Sequence, residues 1–247
     1  MKLVIEDVSL IRGPPAVDYT HEMKMALLDY FAEKDWERAN DGKIHASDTI
    51  GCNRLTVFRK LDEFPSITDE QSFYYSRGIA MHEWFQKRLI YHVRKTDPTR
   101  YRAEQKWEYE GITCTPDLID VTNNRIVEIK TTNTQELPHD EPYEDHITQI
   151  KIYMAITGIL QGTIFYFKML NPPSPYAQYE VSIKEFQRKR IIDKLYDSAM
   201  EIQEGIDKKD PSIVEGVLIN PYKRWKCIKN GVPKCKFYNK CKEIDNL

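Results

Sequence analysis

The spacing of apolar positions changes several times along the chain, and each change marks an element. From Thr20 to Ala39 the residues Met23, Ala26, Leu27, Tyr30 and Phe31 recur on one helical face, and Asn40-Asp41-Gly42 ends the run. Ala46-Ser47-Asp48 reads as a helix start, with Leu55, Phe58 and Leu61 as the stripe behind it. A loop over 62–75 containing Pro65 leads to a second helical pattern, Arg77 to His92, built on Ile79, Trp84, Phe85, Leu89 and Ile90. At Tyr101 the period falls to two. Ala103, Gln105 and Trp107 face one way, while Arg102, Glu104, Lys106 and Glu108 face the other, which predicts one strand over 101–109. Glu110-Gly111 and Asn123-Asn124 then turn the chain twice, giving three antiparallel strands between 101 and 131. A helix from Glu144 to Thr157 stops at Gly158, and strands follow from Gly162 and over 176–182. The capping pattern Ser182-x-x-Glu185 opens a long helix reaching Lys208, with Phe186, Ile191, Leu195, Ala199 and Ile202 on its buried stripe. Beyond Asp210-Pro211 periodicity is lost, so the tail needs something other than a core to order it.

The second hairpin carries the candidate chemistry. With a two-residue turn at Asn123-Asn124, Lys130 lies opposite Asp117 and Glu128 opposite Ile119. Asp117, Glu128 and Lys130 then share one face, and Val127 and Ile129 point the other way into a core. Diagonal neighbours of this kind sit about 7–8 Å apart at the backbone. Two carboxylates held that close repel unless a cation lies between them, and a divalent ion with hard oxygen ligands meets that need. The competing reading is a solvated hairpin whose charges face water.

Composition narrows the classes. The chain has 247 residues, 41% of them hydrophobic, and a net charge of −2, which suits a globular protein and disfavours a surface that coats nucleic acid. No apolar run approaches the roughly 18 residues of a membrane span, and the segment MKLVIEDVSL lacks the form of a signal peptide, so a cytoplasmic protein is expected. Basic residues are local. Lys184, Arg188, Lys189, Arg190 and Lys194 cluster on the long helix, and Lys223, Arg224, Lys226, Lys229, Lys234, Lys236, Lys240 and Lys242 crowd the tail. Of five cysteines, Cys227, Cys235 and Cys241 fall in that tail, spaced C-x7-C-x5-C, while Cys114 reads as strand packing. Three thiolates would leave a tetrahedral site one ligand short, with Cys52 the obvious fourth, for either a structural zinc or a [4Fe–4S] cluster; the competing reading is three unrelated thiols that bind nothing. His82, read alone, is a hydrogen-bonded structural histidine; it changes meaning if its helix packs over the carboxylate hairpin.

Taken in order, Cys52, His82, Pro116-Asp117, Glu128-Ile129-Lys130, Gln149-x3-Tyr153 and the three tail cysteines resemble the RecB-like PD-(D/E)XK exonuclease family with a C-terminal iron–sulfur cluster, and most closely its CRISPR-associated nuclease members. The likeness spans residues 46 to 242, with one departure: the family's first two tail cysteines are usually C-x2-C, whereas seven residues intervene here. The resemblance implies an α/β (α+β) fold with a PD-(D/E)XK restriction-endonuclease-like core, a mixed central sheet flanked by helices, and an iron–sulfur clamp joining an N-terminal helix to the tail. It divides the chain into an N-terminal helical extension (1–45), a nuclease core (46–220) and a cysteine-rich basic tail (221–247). Its residues imply Mn2+ or Mg2+ on His82, Asp117, Glu128 and the carbonyl of Ile129. Lys130, Asp117, Glu128, Gln149 and Tyr153 would be catalytic, and Cys52, Cys227, Cys235 and Cys241 would hold the [4Fe–4S] cluster, or Zn2+ in its place. The implied activity is a metal-dependent deoxyribonuclease, a single-strand DNA exonuclease with endonuclease activity as an added option. Its setting would be CRISPR adaptation or DNA recombination and repair, with other proteins of those systems as partners and no membrane. The alternative is a nuclease-inactive DNA-binding or partner-docking iron–sulfur subunit.

Overall fold

The structure, a computed structural model, describes Ala26 and Tyr30 and residues 41–61, 69–132, 141–168, 176–216, 227–229, 232–233, 235 and 237–246. Of the helix expected over Thr20–Ala39, only Ala26 and Tyr30 fall within these, both helical; the rest of that expectation lies outside the described residues.

In chain order the strands are β1 (Ile44–His45), β2 (Tyr101–Ala103), β3 (Trp107–Tyr109), β4 (Ile112–Cys114), β5 (Leu118–Asp120), β6 (Arg125–Thr132), β7 (Gln161–Lys168), β8 (Tyr176–Ser182), β9 (Ile228–Lys229) and β10 (Val232–Pro233). The α-helices are α1 (Asn53–Leu61), α2 (Asp69–Val93), α3 (Glu144–Thr157), α4 (Glu185–Asp207) and α5 (Tyr238–Ile244). The main sheet runs β2-β5-β6-β7-β8, with β6 and β7 parallel and every other neighbouring pair antiparallel. Parallel neighbours need a crossover, and α3 supplies it between β6 and β7. A second sheet, β1-β4-β3, pairs β1 parallel to β4. The architecture is thus the mixed α/β arrangement expected.

Both faces of the main sheet are covered. On one, Phe85 of α2 packs its ring against Phe165 and Phe167 of β7, with centroids 5.4 and 4.8 Å away. On the other, α3 lies so close that a Cβ on Gly162 would meet Ile150 Cδ1 at 2.7 Å; only glycine admits the helix at that depth. Ile126, Ile164, Ile150 and Met154 are fully buried between that face and α3. α3 ends where expected, at Gly158 with φ +76° and its N–H on the Met154 carbonyl.

Four expectations need correction. The strand over 101–109 is two strands in different sheets, because Glu104 takes φ 49° and breaks the extended run. The hairpin after β5 has a four-residue loop, so Asp120 pairs with Arg125 and Leu118 with Val127. The Asp120 carboxylate causes this: it accepts hydrogen bonds from the Asn123 N–H (3.1 Å) and from Asn123 Nδ2 (2.8 Å), which widens the turn. The helix expected from Arg77 begins eight residues earlier, at Asp69. The cap of α4 sits at Lys184 rather than Ser182, with the Gln187 side chain accepting from the Lys184 N–H at 2.8 Å.

Candidate active site and cysteine cluster

The site forms where β5 leaves β6. The ladder between them ends at Leu118–Val127, so beyond that pair the edge groups of β6 lose their strand partner. Side chains take over. Asp117 Oδ2 accepts a 2.6 Å hydrogen bond from the Ile129 N–H, and His82 Nε2 lies 2.9 Å from the Ile129 carbonyl oxygen. His82 Nε2 also meets Asp117 Oδ2 at 2.8 Å. One imidazole nitrogen therefore faces both a carboxylate and a main-chain carbonyl, and must carry a proton to satisfy them. Burial alone would lower the basicity of His82, but its hydrogen bond to Asp117 and that group's charge outweigh it and raise the pKa.

Asp117 lies just beyond the last paired residue of β5, near enough to Glu128 for its charge to act on that carboxyl. Glu128 is 2% exposed beneath α3. Its Oε1 accepts from Lys130 Nζ at 2.7 Å, while Oε2 is buried with no hydrogen-bond partner. Burial, then the neighbouring Asp117 charge, push its carboxyl up to about 7, with Lys130 and His82 pulling the other way. Lys130 Nζ also donates to Gln149 Oε1 at 2.7 Å, and Gln149 Nε2 donates to the Tyr153 hydroxyl at 2.8 Å. Gln149 and Tyr153 are one turn apart on α3, so one helix face delivers both to the strand. Burial raises the Tyr153 pKa, so that phenol stays protonated at ordinary pH.

His82, Asp117, Glu128, Ile129, Lys130, Gln149 and Tyr153 are thus brought together by these contacts. Their charged side chains are not open to water as on a solvated hairpin: His82, Asp117, Lys130 and Glu128 expose only 25, 15, 19 and 2% of their side chains. Two further residues join them. Gln86 is 5% exposed and its Nε2 donates to the Asp117 carbonyl at 3.2 Å, fixing the end of β5. It lies four residues after His82, a spacing that could have marked it. His146 of α3 lies near enough to Lys130 to feel its charge.

The donor set suits a hard divalent cation: one imidazole, two carboxylates and a strand carbonyl, with one buried carboxylate oxygen lacking a partner. As arranged, however, no three His, Cys, Asp or Glu side chains among the described residues close around a common point. Glu128 turns toward Lys130, and His82 toward Asp117.

Four of the five cysteines pack together against α1. Cys227 and Cys241 are buried with Phe58 and Phe237, and Cys52 and Cys235 pack against the same cluster. None of the five cysteines forms a disulfide. The antiparallel pair β9–β10 folds the seven-residue spacer back, so the Cys235 N–H reaches the Cys227 carbonyl at 3.3 Å. Phe58 and Phe237 stack 4.6 Å apart with rings 8° from parallel, and Lys240 lies over both. Arg54 of α1, 4% exposed, binds the Val214 carbonyl (2.8 Å) and Asp245 (2.7 Å) and lies near enough to Cys241 to act on its thiol. Cys114 lies elsewhere, in β4, where burial pushes its thiol up to about 12.

Of the basic cluster on α4, Lys184, Lys189, Arg190 and Lys194 are exposed, whereas Arg188 is tied to the Ala155 carbonyl and to Glu185. In the tail, Lys223, Arg224, Lys226, Lys234 and Lys236 lie outside the described residues. No described helix is long and apolar enough to cross a membrane.

No family model and no curated protein sequence matches the chain. Among solved structures, the alkaline exonuclease LHK-Exo from Laribacter hongkongensis matches with a TM-score of 0.53 at 16% identity, over 71% of this chain and 95% of that one. The same enzyme in complex with dAMP matches with a TM-score of 0.50 at 17% identity, over 76% and 95%. The protein SSO0001 matches with a TM-score of 0.50 at 18% identity, over 71% and 86%. At such identities the likeness is one of fold, and this chain shares the exonuclease fold of LHK-Exo.

Proposed function

We propose that the protein is a metal-dependent deoxyribonuclease, acting as a single-strand DNA exonuclease. The observation that carries this reading is Lys130, an ammonium held between the carboxylate of Glu128 and the amide of Gln149 beside the His82–Asp117 pair. The shared fold of an enzyme named as an alkaline exonuclease supports the same class.

Phosphodiester hydrolysis needs a water aimed at phosphorus and a counter-charge for the oxygens that gain electron density. Of the three donors on Lys130, two are fixed by Glu128 and Gln149, which leaves one to point at that water or at the phosphoryl oxygen. Gln149 is itself fixed by Tyr153, so the ammonium is pre-aimed before substrate arrives. Mn2+ or Mg2+ would be held by His82, Asp117, Glu128 and the Ile129 carbonyl, where it would supply Lewis-acid activation of water and phosphate. In the protein alone, the proton on His82 Nε2 serves Asp117 and that carbonyl. Gln86 holds Asp117 in place by anchoring its carbonyl. The exposed basic residues Lys189, Arg190 and Lys194 of α4 offer phosphate contacts for a strand.

Cys52, Cys227, Cys235 and Cys241 would hold a [4Fe–4S] cluster, with Zn2+ as the alternative, clamping the tail (221–247) to the nuclease core (46–220); residues 1–45 would be a helical extension. Support comes from the packing of all four cysteines in one apolar cluster, although no three of their thiols close around a common point as they stand. A setting in CRISPR adaptation or in recombination and repair, with proteins of those systems as partners, rests on the resemblance in motif order. The test is incubation with end-labelled linear and circular single-stranded DNA in Mn2+ or Mg2+. Stepwise loss of the linear strand with the circle intact is expected; retention of both without cleavage would make the protein a DNA-binding subunit instead.

A further inference from the structure

At the N-terminal end of α3, Tyr143, Glu144, Asp145 and His146 line, among the described residues, a cavity of about 450 Å3, within the size range of small-ligand sites. Its chemistry is set by hydrogen bonds whose direction can be read. The Tyr143 N–H donates to the Tyr166 hydroxyl at 3.2 Å, so the hydroxyl spends its own proton on His146 Nδ1, 2.7 Å away. That leaves His146 Nδ1 as an acceptor and places the ring proton of the neutral imidazole on Nε2. Tyr166 is fully buried, which makes this arrangement rigid. The imidazole also stays neutral. Burial, then the Lys130 charge, push its pKa down to about 4 against the pull of Asp145. Tyr143 is 44% exposed, with its ring plane about perpendicular to those of His146 and Tyr166, centroids 5.6 and 5.9 Å away.

A partly exposed aromatic ring, a fixed neutral N–H donor and two carboxylates form an unsuitable seat for a bare phosphate. They suit a flat, neutral group that carries both acceptors and amino donors. The position adds to this. Tyr166 is the cross-strand neighbour of Lys130, and His146 stands one helical turn before Gln149. We infer that this cavity is a nucleobase subsite, in which Tyr143 stacks on the base flanking the bond to be cut and His146 Nε2 donates to a base acceptor. The inference rests on the nuclease reading, and extends it by making register along the strand depend on a base rather than on phosphates alone.

The test uses the full chain in EDTA, with fluorescence anisotropy of a labelled single-stranded oligonucleotide carrying an abasic site at successive positions from either end. Loss of one stacked base costs about 5–150-fold in affinity. One position near an end should therefore weaken binding by about tenfold. Tyr143→Ala should weaken binding to the intact oligonucleotide by a similar factor and abolish the penalty of the abasic site, while Tyr143→Phe preserves both. His146→Gln, which keeps an N–H donor, should bind more tightly than His146→Ala. Binding that ignores every abasic site, or losses from Tyr143→Ala and the abasic site that multiply, would overturn the subsite. Absence of any DNA binding would overturn the nuclease reading along with it.

Discussion

Glu128→Gln tests the electrostatics of the site before any substrate is added. The Glu128 carboxyl is buried, uses one oxygen on Lys130 and leaves the other without a hydrogen bond. Burial and the Asp117 charge raise it from an ordinary 4.5 to about 7. A carboxyl whose folded pKa is raised binds its proton more tightly in the folded state. Its contribution to stability is complete below pH 4.5 and is lost as pH climbs through 7. At about 1.4 kcal/mol per pH unit, that interval corresponds to about 3 kcal/mol. Glutamine has nearly the same shape and does not titrate, so the variant lacks this loss. His82, also raised, loses stability on the alkaline side in both proteins and largely cancels in the comparison. Urea unfolding in EDTA from pH 4.5 to 8 should show the wild type falling relative to Glu128→Gln by about 3 kcal/mol. Millimolar Mn2+ at pH 7.5 should return the lost stability to the wild type and not to the variant. Parallel pH profiles, or equal stabilisation of both by Mn2+, would refute the placement of a buried, cation-seeking carboxylate at this position.

Other expectations follow from single contacts. Arg54→Ala leaves Asp245 buried without its partner, and removing one side of a buried pair costs about 3–5 kcal/mol, readable as a lower urea midpoint. Gly205→Ala improves helix propensity by about 1 kcal/mol, yet its Cβ would lie 2.5 Å from Val214 Cγ2 and 2.9 Å from Val57 Cγ2. The β-branched neighbours cannot swing aside, so a net loss of about 1–2 kcal/mol is expected, and a stabilised variant would contradict the packing. Cys241→Ser should lower bound iron or zinc per protein to background, with loss of any absorbance near roughly 400 nm; full metal content in that variant would remove Cys241 from the cluster.

The site was legible in the sequence because of parity. The hairpin register differs by two residues from the expected one, yet a shift of two keeps every paired side chain on its face, so Asp117 still comes near enough to Glu128 for the two charges to act on each other. A shift of one would have scattered them. The cause of the shift, the Asp120 side chain accepting from Asn123, is a local competition that apolar spacing does not encode. The break at Glu104 was hidden for a related reason: alternation continues through it, and nothing in the pattern shows that neighbouring segments pair in different sheets. The burial of Glu128 was hidden too. A charged residue in an alternating strand reads as solvent-facing, whereas β6 is covered on both faces and parallel to β7. Gln86 and Arg54 escaped notice because their partners, the Asp117 and Val214 carbonyls, are backbone atoms far along the chain.

The most direct measurement of the central claim is the single-turnover rate of DNA cleavage in Mn2+ by the wild type and by Lys130→Ala, alongside DNA affinity in EDTA. With the ammonium pre-aimed by Glu128 and Gln149, the variant should bind DNA as the wild type does and cut it about 10²–10³-fold more slowly. A variant that cuts at a near-normal rate would contradict it.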